Sequence, residues 1–172
     1  MVILGVDPGY AIVGTGVIEY SGNHFKVLDQ RAITTPTKIP FEERLLSIYN
    51  DMTNLIAEFK PDCMSIESLY FYHNVTTGID VAQARGVILL ACAKAGVEPF
   101  EYTPLQVKSS VVGYGNAEKK QVMAMTKKIL NLTEIPKPDD VADALALAIC
   151  HAHSYNSLMR GIKKWSIRLM EN

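Results

Sequence analysis

The segment Leu4-Gly5-Val6-Asp7-Pro8-Gly9, close to the N-terminus, is the strongest indication of the fold in the sequence. It continues an apolar run that starts at Val2 and stops at an aspartate and a Pro-Gly turn signal, which is typical of a buried strand. Two further β-rich runs follow, from Ile12 to Tyr20 and from Phe25 to Ile33, with Ser21-Gly22-Asn23 between them. The chain is therefore expected to begin as an antiparallel meander whose first strand ends in a carboxylate.

Beyond these strands the hydrophobic period changes from two residues to between three and four. Apolar residues recur on one face from Phe41 to Phe59, which predicts an amphipathic helix bounded by prolines. The remaining elements are predicted as strands at Cys63–Glu67 and Pro99–Tyr102 and as helices at about 78–95, 104–111, 117–130 and 140–155. The helix over 78–95 is almost entirely apolar after Arg85, so we expect it to be buried. This order predicts an α/β fold in which a five-stranded mixed sheet is flanked by helices.

The chain has 172 residues, 48% of them hydrophobic and 20% charged, which fits one globular domain. No apolar run approaches the ~20 residues needed to span a bilayer, and the N-terminus shows no signal-peptide pattern. Cys63, Cys92 and Cys150 lie apart in apolar stretches and are interpreted as free core thiols. We expect a cytoplasmic protein with a domain over residues 1–156 and a basic tail over 157–172, poorly ordered by itself.

The net charge of −1 hides an uneven distribution along the chain. Residues 103–137 carry +4 and residues 156–172 carry +3, which leaves −8 on the rest. Basic flanks around an acidic centre are typical of an enzyme that binds cations through carboxylates and a polyanion through lysines. Any one of these lysines could equally belong to an ordinary solvated helix face.

Four acidic residues stand where surface charges are not normally found. Asp7 and Glu67 each end a predicted buried strand, so parallel neighbours would bring both carboxylates to one edge of the sheet. Asp143 lies among apolar residues of the last predicted helix and shares a face with either Asp139 or Asp140, since both spacings converge. We favour Asp139 as the helix N-cap and Asp140 as the partner of Asp143.

Carboxylates that converge in a packed environment repel one another unless cations, protons or basic groups offset their charge. Oxygen-only ligands favour Mg²⁺ or Mn²⁺ over zinc. Two such ions can activate a water and stabilise the leaving oxygen when a phosphodiester is hydrolysed. The four residues thus predict a two-metal site, although taken singly Asp7 could be a turn former and Asp139 or Asp140 a cap.

The chain resembles the RuvC family of Holliday-junction resolvases over nearly its full length. The resemblance rests on motifs in a fixed order: the stretch quoted at the start, Ile66-Glu67, Gln83-Ala84-Arg85-Gly86-Val87, Gln106-Val107-Lys108, Val111-Val112-Gly113-Tyr114-Gly115, Ala117-Glu118-Lys119 and Asp140-Val141-Ala142-Asp143-Ala144-Leu145-Ala146. It implies a ribonuclease H-like fold and a structure-selective, Mg²⁺-dependent endonuclease that resolves four-way DNA junctions by paired symmetric nicks, in recombination and repair.

The resemblance also assigns roles to individual residues. The family's metal-binding acids match Asp7, Glu67, Asp140 and Asp143, which the resemblance implies hold two Mg²⁺ per subunit, with Mn²⁺ as a substitute. Its two lysines near the scissile backbone match Lys108 and Lys119, and its base-stacking aromatic residue matches Tyr70. The implied partners are junction DNA, a second copy of the chain in a homodimer, and a branch-migration motor complex.

Three alternatives remain at this point. A sugar-kinase or actin-like ATPase would use Asp7-Pro8-Gly9 together with Gly14-Thr15-Gly16 as one phosphate loop, but such proteins need two lobes and a second phosphate loop, for which the chain has no motif. A junction-binding module without catalysis would not need all four acids. A ribonuclease H-like enzyme acting on RNA would be distinguished by competition between junction DNA and structured RNA.

Overall fold

A computed structural model describes residues 1–68 and 75–170, with side chains described over 1–68 and 78–155. Its strands are β1 (Val2–Asp7), β2 (Ile12–Ser21), β3 (His24–Thr34), β4 (Cys63–Glu67) and β5 (Glu98–Tyr102). Its helices are α1 (Phe41–Phe59), α2 (Val75–Ala95), α3 (Pro104–Val112), α4 (Lys119–Ile129) and α5 (Asp139–Met170).

The five strands form one mixed sheet in the order β3-β2-β1-β4-β5. The first three strands are antiparallel neighbours, whereas β4 runs parallel to β1 and β5 runs parallel to β4. In the β1–β4 register Val6 lies beside Ile66, so the next residue of each strand is an acid, Asp7 or Glu67. The predicted α/β class, the mixed sheet and the shared edge for these two acids are confirmed.

Helices cover both faces of the sheet. On one face α1 and α2 pack against β1, β2 and β4 through a cluster that includes Leu4, Ile48 and Ile88. On the other face α5 lies across the strands, with α3 and α4 packed beside it, around a cluster that includes Ile3 and Leu145. Because β1 is central and apolar on both sides, its only charged residue, at the strand end, is presented to the edge of the sheet.

Glycines allow α5 to approach the sheet closely. A Cβ at Gly5 would overlap the carbonyl oxygen of Ala144, and one at Gly14 would overlap that of Asp140. Gly16 similarly lies under Leu145. These contacts leave no room for side chains between β1–β2 and the start of α5. Gly14 and Gly16 are thus strand positions beneath a helix, and the phosphate-loop interpretation of this segment is wrong.

Several predicted boundaries and environments differ from the structure. Helix α2 begins at Val75 rather than near 78, and it is buried on one side only, since Leu90 is 53% exposed. The periodicity of a nearly continuous apolar run does not reveal which side faces the core. Helix α4 starts at Lys119 rather than 117, because Glu118 supplies the N-cap.

The last helix is much longer than expected. We predicted an end near Tyr155, but the backbone is helical to Met170. Poor order of the tail over 157–172 in the absence of a partner stays a prediction. Good helix formers such as Leu158, Met159 and Arg160 continue the chain there, and no proline interrupts it. At the other end α5 already includes Asp139, so Pro138 rather than Asp139 precedes the helix.

Two further expectations concern composition. The three cysteines are free and buried, which confirms their interpretation as core thiols. Within the described residues, none of the helices combines the length and the apolar character that a membrane span requires.

Candidate active site

A pocket of about 270 Å³ opens at the edge of the sheet where β1 and β4 end. Three carboxylates and two lysines share it with an apolar wall, and its lining residues are Asp7, Glu67, Pro104, Val107, Lys108, Lys119, Val122, Asp143 and Leu147. Strand ends supply two of the acids, α5 supplies the third, and α3 and α4 supply the lysines. The pocket thus combines residues from five elements and from both ends of the chain.

The two strand-end acids are held by the parallel pairing of β1 and β4. Asp7 and Glu67 follow the paired residues Val6 and Ile66, which are both fully buried. Because these neighbours are fixed in the core, the backbone that carries the carboxylates has little freedom. The first acidic pair is therefore positioned by the sheet itself.

Helix α5 places Asp143 over this edge. Its position along the sheet is fixed by the glycine contacts and by Ser65 of β4, whose hydroxyl donates a buried 2.7 Å hydrogen bond to the carbonyl oxygen of Leu147. Asp143 is half-buried and lines the pocket, whereas Asp140, one turn earlier, does not line it. The Asp140 carboxylate still acts on the other acids, because its charge raises the pKa of both Asp7 and Asp143.

The two lysines of the pocket, Lys108 and Lys119, lie near the N-termini of α3 and α4, and each of these helices begins with a capping box. Helix α3 has a capping box between Thr103 and Gln106, and Lys108 follows within the next turn. Helix α4 has a capping box between Glu118 and Gln121, which places Lys119 at its first position. The first residues of both helices, Pro104 and Lys119, line the pocket together with Lys108, so two ammonium groups are available there to an anion.

Lys119 is the cation in direct contact with the acidic residues. Its Nζ lies 2.9 Å from Oδ2 of Asp143 and 3.5 Å from Oδ2 of Asp139. The hydrogen bond to Asp143 is the main reason that the pKa of Lys119 is raised. Its side chain is nevertheless 53% exposed, so the ammonium group can change partners without disturbing the core.

Burial and mutual repulsion raise the pKa of the acids in the pocket. Burial is the largest cause at Asp7, followed by the charges of Glu67, Asp143 and Asp140, and together they raise its pKa from 3.8 to about 8. The pKa of Glu67 is raised by burial and then by Asp143. Burial also raises the pKa of Asp143, although Lys119 acts in the opposite direction. The pocket therefore holds more negative charge than its single paired lysine offsets.

This excess of negative charge is the property that a divalent cation would satisfy. The charged side chains available as ligands are all carboxylates, which suits a hard ion such as Mg²⁺ or Mn²⁺. Among the residues that the structure describes, no three acidic, histidine or cysteine side chains are already close enough to form a ready-made metal site. The chemistry of the residues fits such ions, and the Lys119–Asp143 ion pair is a contact that a bound ion would compete with.

The structure thus brings together five of the seven residues singled out from the sequence, namely Asp7, Glu67, Lys108, Lys119 and Asp143. Asp140 lies one turn away on the same helix, and Tyr70 lies outside the described residues. Sequence reasoning missed the parts that position the site. Ser65 gave no signal as a single serine in a strand, but glycines at alternate positions of β2 could have indicated a closely packed helix.

The fold and the pocket define a nuclease of the ribonuclease H-like class. Residues 3–151 match the family model described as crossover junction endodeoxyribonuclease RuvC. A protein of that name from Ruminiclostridium cellulolyticum is 59% identical over 155 residues, covering 90% of this chain and 93% of the relative. Another, from Alkaliphilus oremlandii, is 58% identical over 156 residues, covering 91% of this chain and 95% of the relative.

A solved structure agrees with these sequence relatives. The present chain is similar to Thermus thermophilus RuvC in complex with a Holliday junction substrate. The TM-score is 0.86, and the match has 34% identity and covers 90% of this chain and 94% of that one. The chain belongs to the crossover junction endodeoxyribonuclease RuvC family. Its relatives over nearly the whole chain are named crossover junction endodeoxyribonucleases, so the chain is a member of a family of DNA endonucleases.

Proposed function

We propose that this chain cuts four-way DNA junctions by paired symmetric nicks, made at the acidic pocket by metal-assisted hydrolysis. The observation that carries the proposal is the convergence of Asp7, Glu67 and Asp143 with two lysines in one pocket. A phosphodiester hydrolase needs carboxylates to hold cations and basic groups to receive the phosphate, and the pocket offers both.

The acids are proposed to hold the metal. Asp7, Glu67, Asp140 and Asp143 would bind two Mg²⁺ per subunit, for which Mn²⁺ would substitute. When bound, such ions activate a water and stabilise the leaving oxygen of the phosphodiester. The raised pKa of Asp7 means that the free protein retains a proton on this group near neutral pH, and that proton must be released when the carboxylate becomes a ligand.

The lysines are proposed to act on the DNA backbone. Lys119 would exchange Asp143 for a phosphate oxygen at the scissile position, while Lys108 would hold a neighbouring phosphate from α3. Both side chains border the apolar wall formed by Val107, Val122 and Leu147, which limits the access of water to one side of the pocket. Lys120, Lys127 and Lys128 of α4 would extend the phosphate-binding surface.

Base contacts are proposed from family membership. Tyr70, three positions after Glu67, would stack on a base at the opened centre of the junction. An aromatic ring with basic groups beside it suits splayed strands better than an intact duplex. Junction shape, rather than base sequence, would then provide most of the selectivity.

A homodimer is proposed through the exposed apolar face of α2. Ile79 is 51% exposed and Leu90 is 53% exposed, and Gly86 and Ala93 are exposed on the same side. With Gln83, these positions repeat at alternating intervals of four and three residues, the spacing of a helix–helix seam. Pairing two copies there would provide two active pockets for two nicks. Family membership further supports a branch-migration motor as a partner and action in the cytoplasm.

Cleavage of an end-labelled synthetic junction tests the proposal. With Mg²⁺ we expect nicks at symmetry-related positions of two opposing strands, none in EDTA and none in a matched linear duplex. Asp7→Asn should abolish nicking and leave junction binding nearly intact, because the lysines supply most of the affinity. Nicking that persists in EDTA or in the Asp7→Asn variant would contradict the proposed metal site.

A further inference from the structure

Arg44 of α1 is a buried cation for which the described residues provide no counter-ion. It is only 8% exposed, and no carboxylate among the residues that the structure describes lies within ion-pairing distance of it. A guanidinium group in this position loses much of its hydration, and a buried charge is normally paired with an opposite one. The neutral groups that Arg44 contacts therefore indicate which part of the structure its guanidinium group stabilises.

The partners of Arg44 are Tyr10, in the turn after β1, and Thr35, which comes directly after β3 and contacts that turn. The Nε of Arg44 donates a 2.9 Å hydrogen bond to Oγ1 of Thr35, and Nη2 donates one of 3.2 Å to the carbonyl oxygen of Tyr10. The Thr35 hydroxyl donates to the same carbonyl oxygen at 2.7 Å. The guanidinium carbon also lies 4.7 Å from the centre of the Tyr10 ring, in a cation–π contact.

The segment that Arg44 holds is the turn that begins at Asp7. Tyr10 follows that residue by three positions, and residues 8–11 lie outside the strands. The turn is tight, because a Cβ at Gly9 would overlap the carbonyl oxygen of Ile12. Thr35 reinforces it through its backbone N–H, which donates a 3.0 Å hydrogen bond to the carbonyl oxygen of Ala11.

We propose that Arg44 is a positioning residue of the active site, which fixes the turn after Asp7 so that the carboxylate is held ready to bind a divalent cation. The inference rests on the metal-binding role proposed for Asp7. Arg44 does so from the opposite face of the sheet to α5, through two hydrogen bonds and a stacked ring, a combination that lysine cannot reproduce.

The test compares Arg44→Gln, Arg44→Lys and Thr35→Val with Leu55→Ala. Leu55 lies on the same helix, is 2% exposed and packs in the core away from the turn, so its truncation supplies a matched loss of stability. Binding of Mn²⁺ to the DNA-free protein is measured by electron paramagnetic resonance. Cleavage is measured in single turnover on pre-bound junction, across a Mg²⁺ titration, with junction affinity determined in EDTA.

We expect Arg44→Gln to weaken Mn²⁺ binding by about 10–100-fold and to raise the Mg²⁺ concentration needed for cleavage to the same degree, as loss of a support behind a metal ligand does. Arg44→Lys should recover only part of this loss, and Thr35→Val, which keeps the shape of the side chain, should show a smaller loss in the same direction. Leu55→Ala should lower the melting temperature while leaving Mn²⁺ affinity unchanged. Junction affinity in EDTA should be the same in all four.

Two outcomes would overturn the inference. Equal Mn²⁺ affinity in Arg44→Gln, Thr35→Val and Leu55→Ala would make Arg44 a contributor to stability alone. If Arg44→Gln instead reduced junction affinity and left the Mg²⁺ dependence of cleavage unchanged, Arg44 would be a contact to a DNA phosphate. Asp7→Asn, measured in parallel, separates this question from the proposed function, since retention of Mn²⁺ binding and cleavage by that variant would remove Asp7 from the site whatever Arg44 does.

Discussion

The Nζ of Lys119 lies 2.9 Å from Oδ2 of Asp143, so the first residue of α4 is joined to α5 across the acidic pocket. The pair has two consequences. It partly offsets the charge of one acid while the others remain crowded, and it keeps a mobile cationic group at the position where a phosphate would arrive. The state without DNA is thus stabilised by the same side chain that is proposed to act on DNA.

Replacing Lys119 with methionine should reduce the single-turnover cleavage rate by about 10²–10³-fold, the usual loss when a donor to the reacting phosphate is removed. Junction affinity should fall only slightly, and its salt dependence should lose about one phosphate contact. Single-turnover cleavage and salt-dependent binding measure both effects. The control is Lys128→Met, on the exposed side of the same helix. It should lower the salt dependence of binding by the same amount as Lys119→Met but leave the cleavage rate unchanged. Equal rates for the two variants would contradict the role of Lys119.

The metal-free protein should lose stability as the pH rises toward 8. Burial and the neighbouring acids raise the pKa of Asp7 from its ordinary value of 3.8 to about 8 in the folded protein, so between these values the folded state holds a proton that the unfolded chain has released. The free energy of unfolding therefore falls with rising pH in this interval. Urea unfolding in EDTA at pH 5.5 and pH 8 measures the difference.

Asp7→Asn removes the titrating group and should make the metal-free protein more stable at pH 8 by about 1 kcal/mol or more. The matched control is Asp51→Asn on the exposed side of α1, which should leave the pH dependence unchanged. An identical decline of stability with pH in the wild type and Asp7→Asn would show that burial of Asp7 is not its source.

Gly14→Ala should destabilise the fold and impair cleavage together. The added Cβ meets the backbone of Asp140, which cannot rotate away, so the start of α5 must move from the sheet. We expect a loss of about 1–3 kcal/mol, typical of overpacking, measured by urea unfolding beside the cleavage assay. Gly86→Ala meets no atom within 4 Å of its own chain and should favour its helix by up to about 1 kcal/mol, so it is the control for urea unfolding, while its place in the proposed α2 seam excludes it as a control for cleavage. Normal cleavage by a stable Gly14→Ala protein would contradict the close packing.

Leu90→Glu should prevent dimer formation, because it places a charge in the centre of the proposed α2 seam. Light scattering after gel filtration should show a monomer, and the junction assay should show single nicks in place of paired ones. Leu46→Glu is the matched control, since Leu46 is 57% exposed on α1 and outside the seam. A Leu90→Glu protein that remains dimeric would assign the interface to another surface.

The sequence was most informative where local pattern and tertiary burial agree. The stripe from Phe41 to Phe59 and the strand Cys63–Glu67 have the predicted bounds, because turn signals and prolines punctuate them on both sides. The convergence of Asp7 and Glu67 followed from parallel strand geometry alone. The bounds of the helix and the strand needed only short-range signals, whereas the convergence of the two acids also needed the general rule that parallel neighbours end at the same edge of a sheet.

Features that depend on how helices pack against one another and against the sheet could not be predicted from the sequence. The one-sided burial of α2 depends on what covers its other face, and the pairing of Lys119 with Asp143 depends on how α4 meets α5. The exclusion of Asp140 from the pocket lining reflects how far α5 settles onto the glycines of the sheet. Arg44 gave no signal, since one arginine on an amphipathic helix normally faces solvent.

The acids of the pocket come from opposite ends of the chain, with Asp7 in the first strand and Asp143 in the last helix. A chain emerging from the ribosome therefore lacks a complete catalytic centre until α5 has been synthesised and has docked on the sheet. The same dependence applies in reverse, because release of α5 from the sheet would separate Asp143 from Asp7 and Glu67. If the acids hold the metal as proposed, a molecule without a docked α5 would lack nuclease activity, so folding of the last helix would also switch the enzyme on.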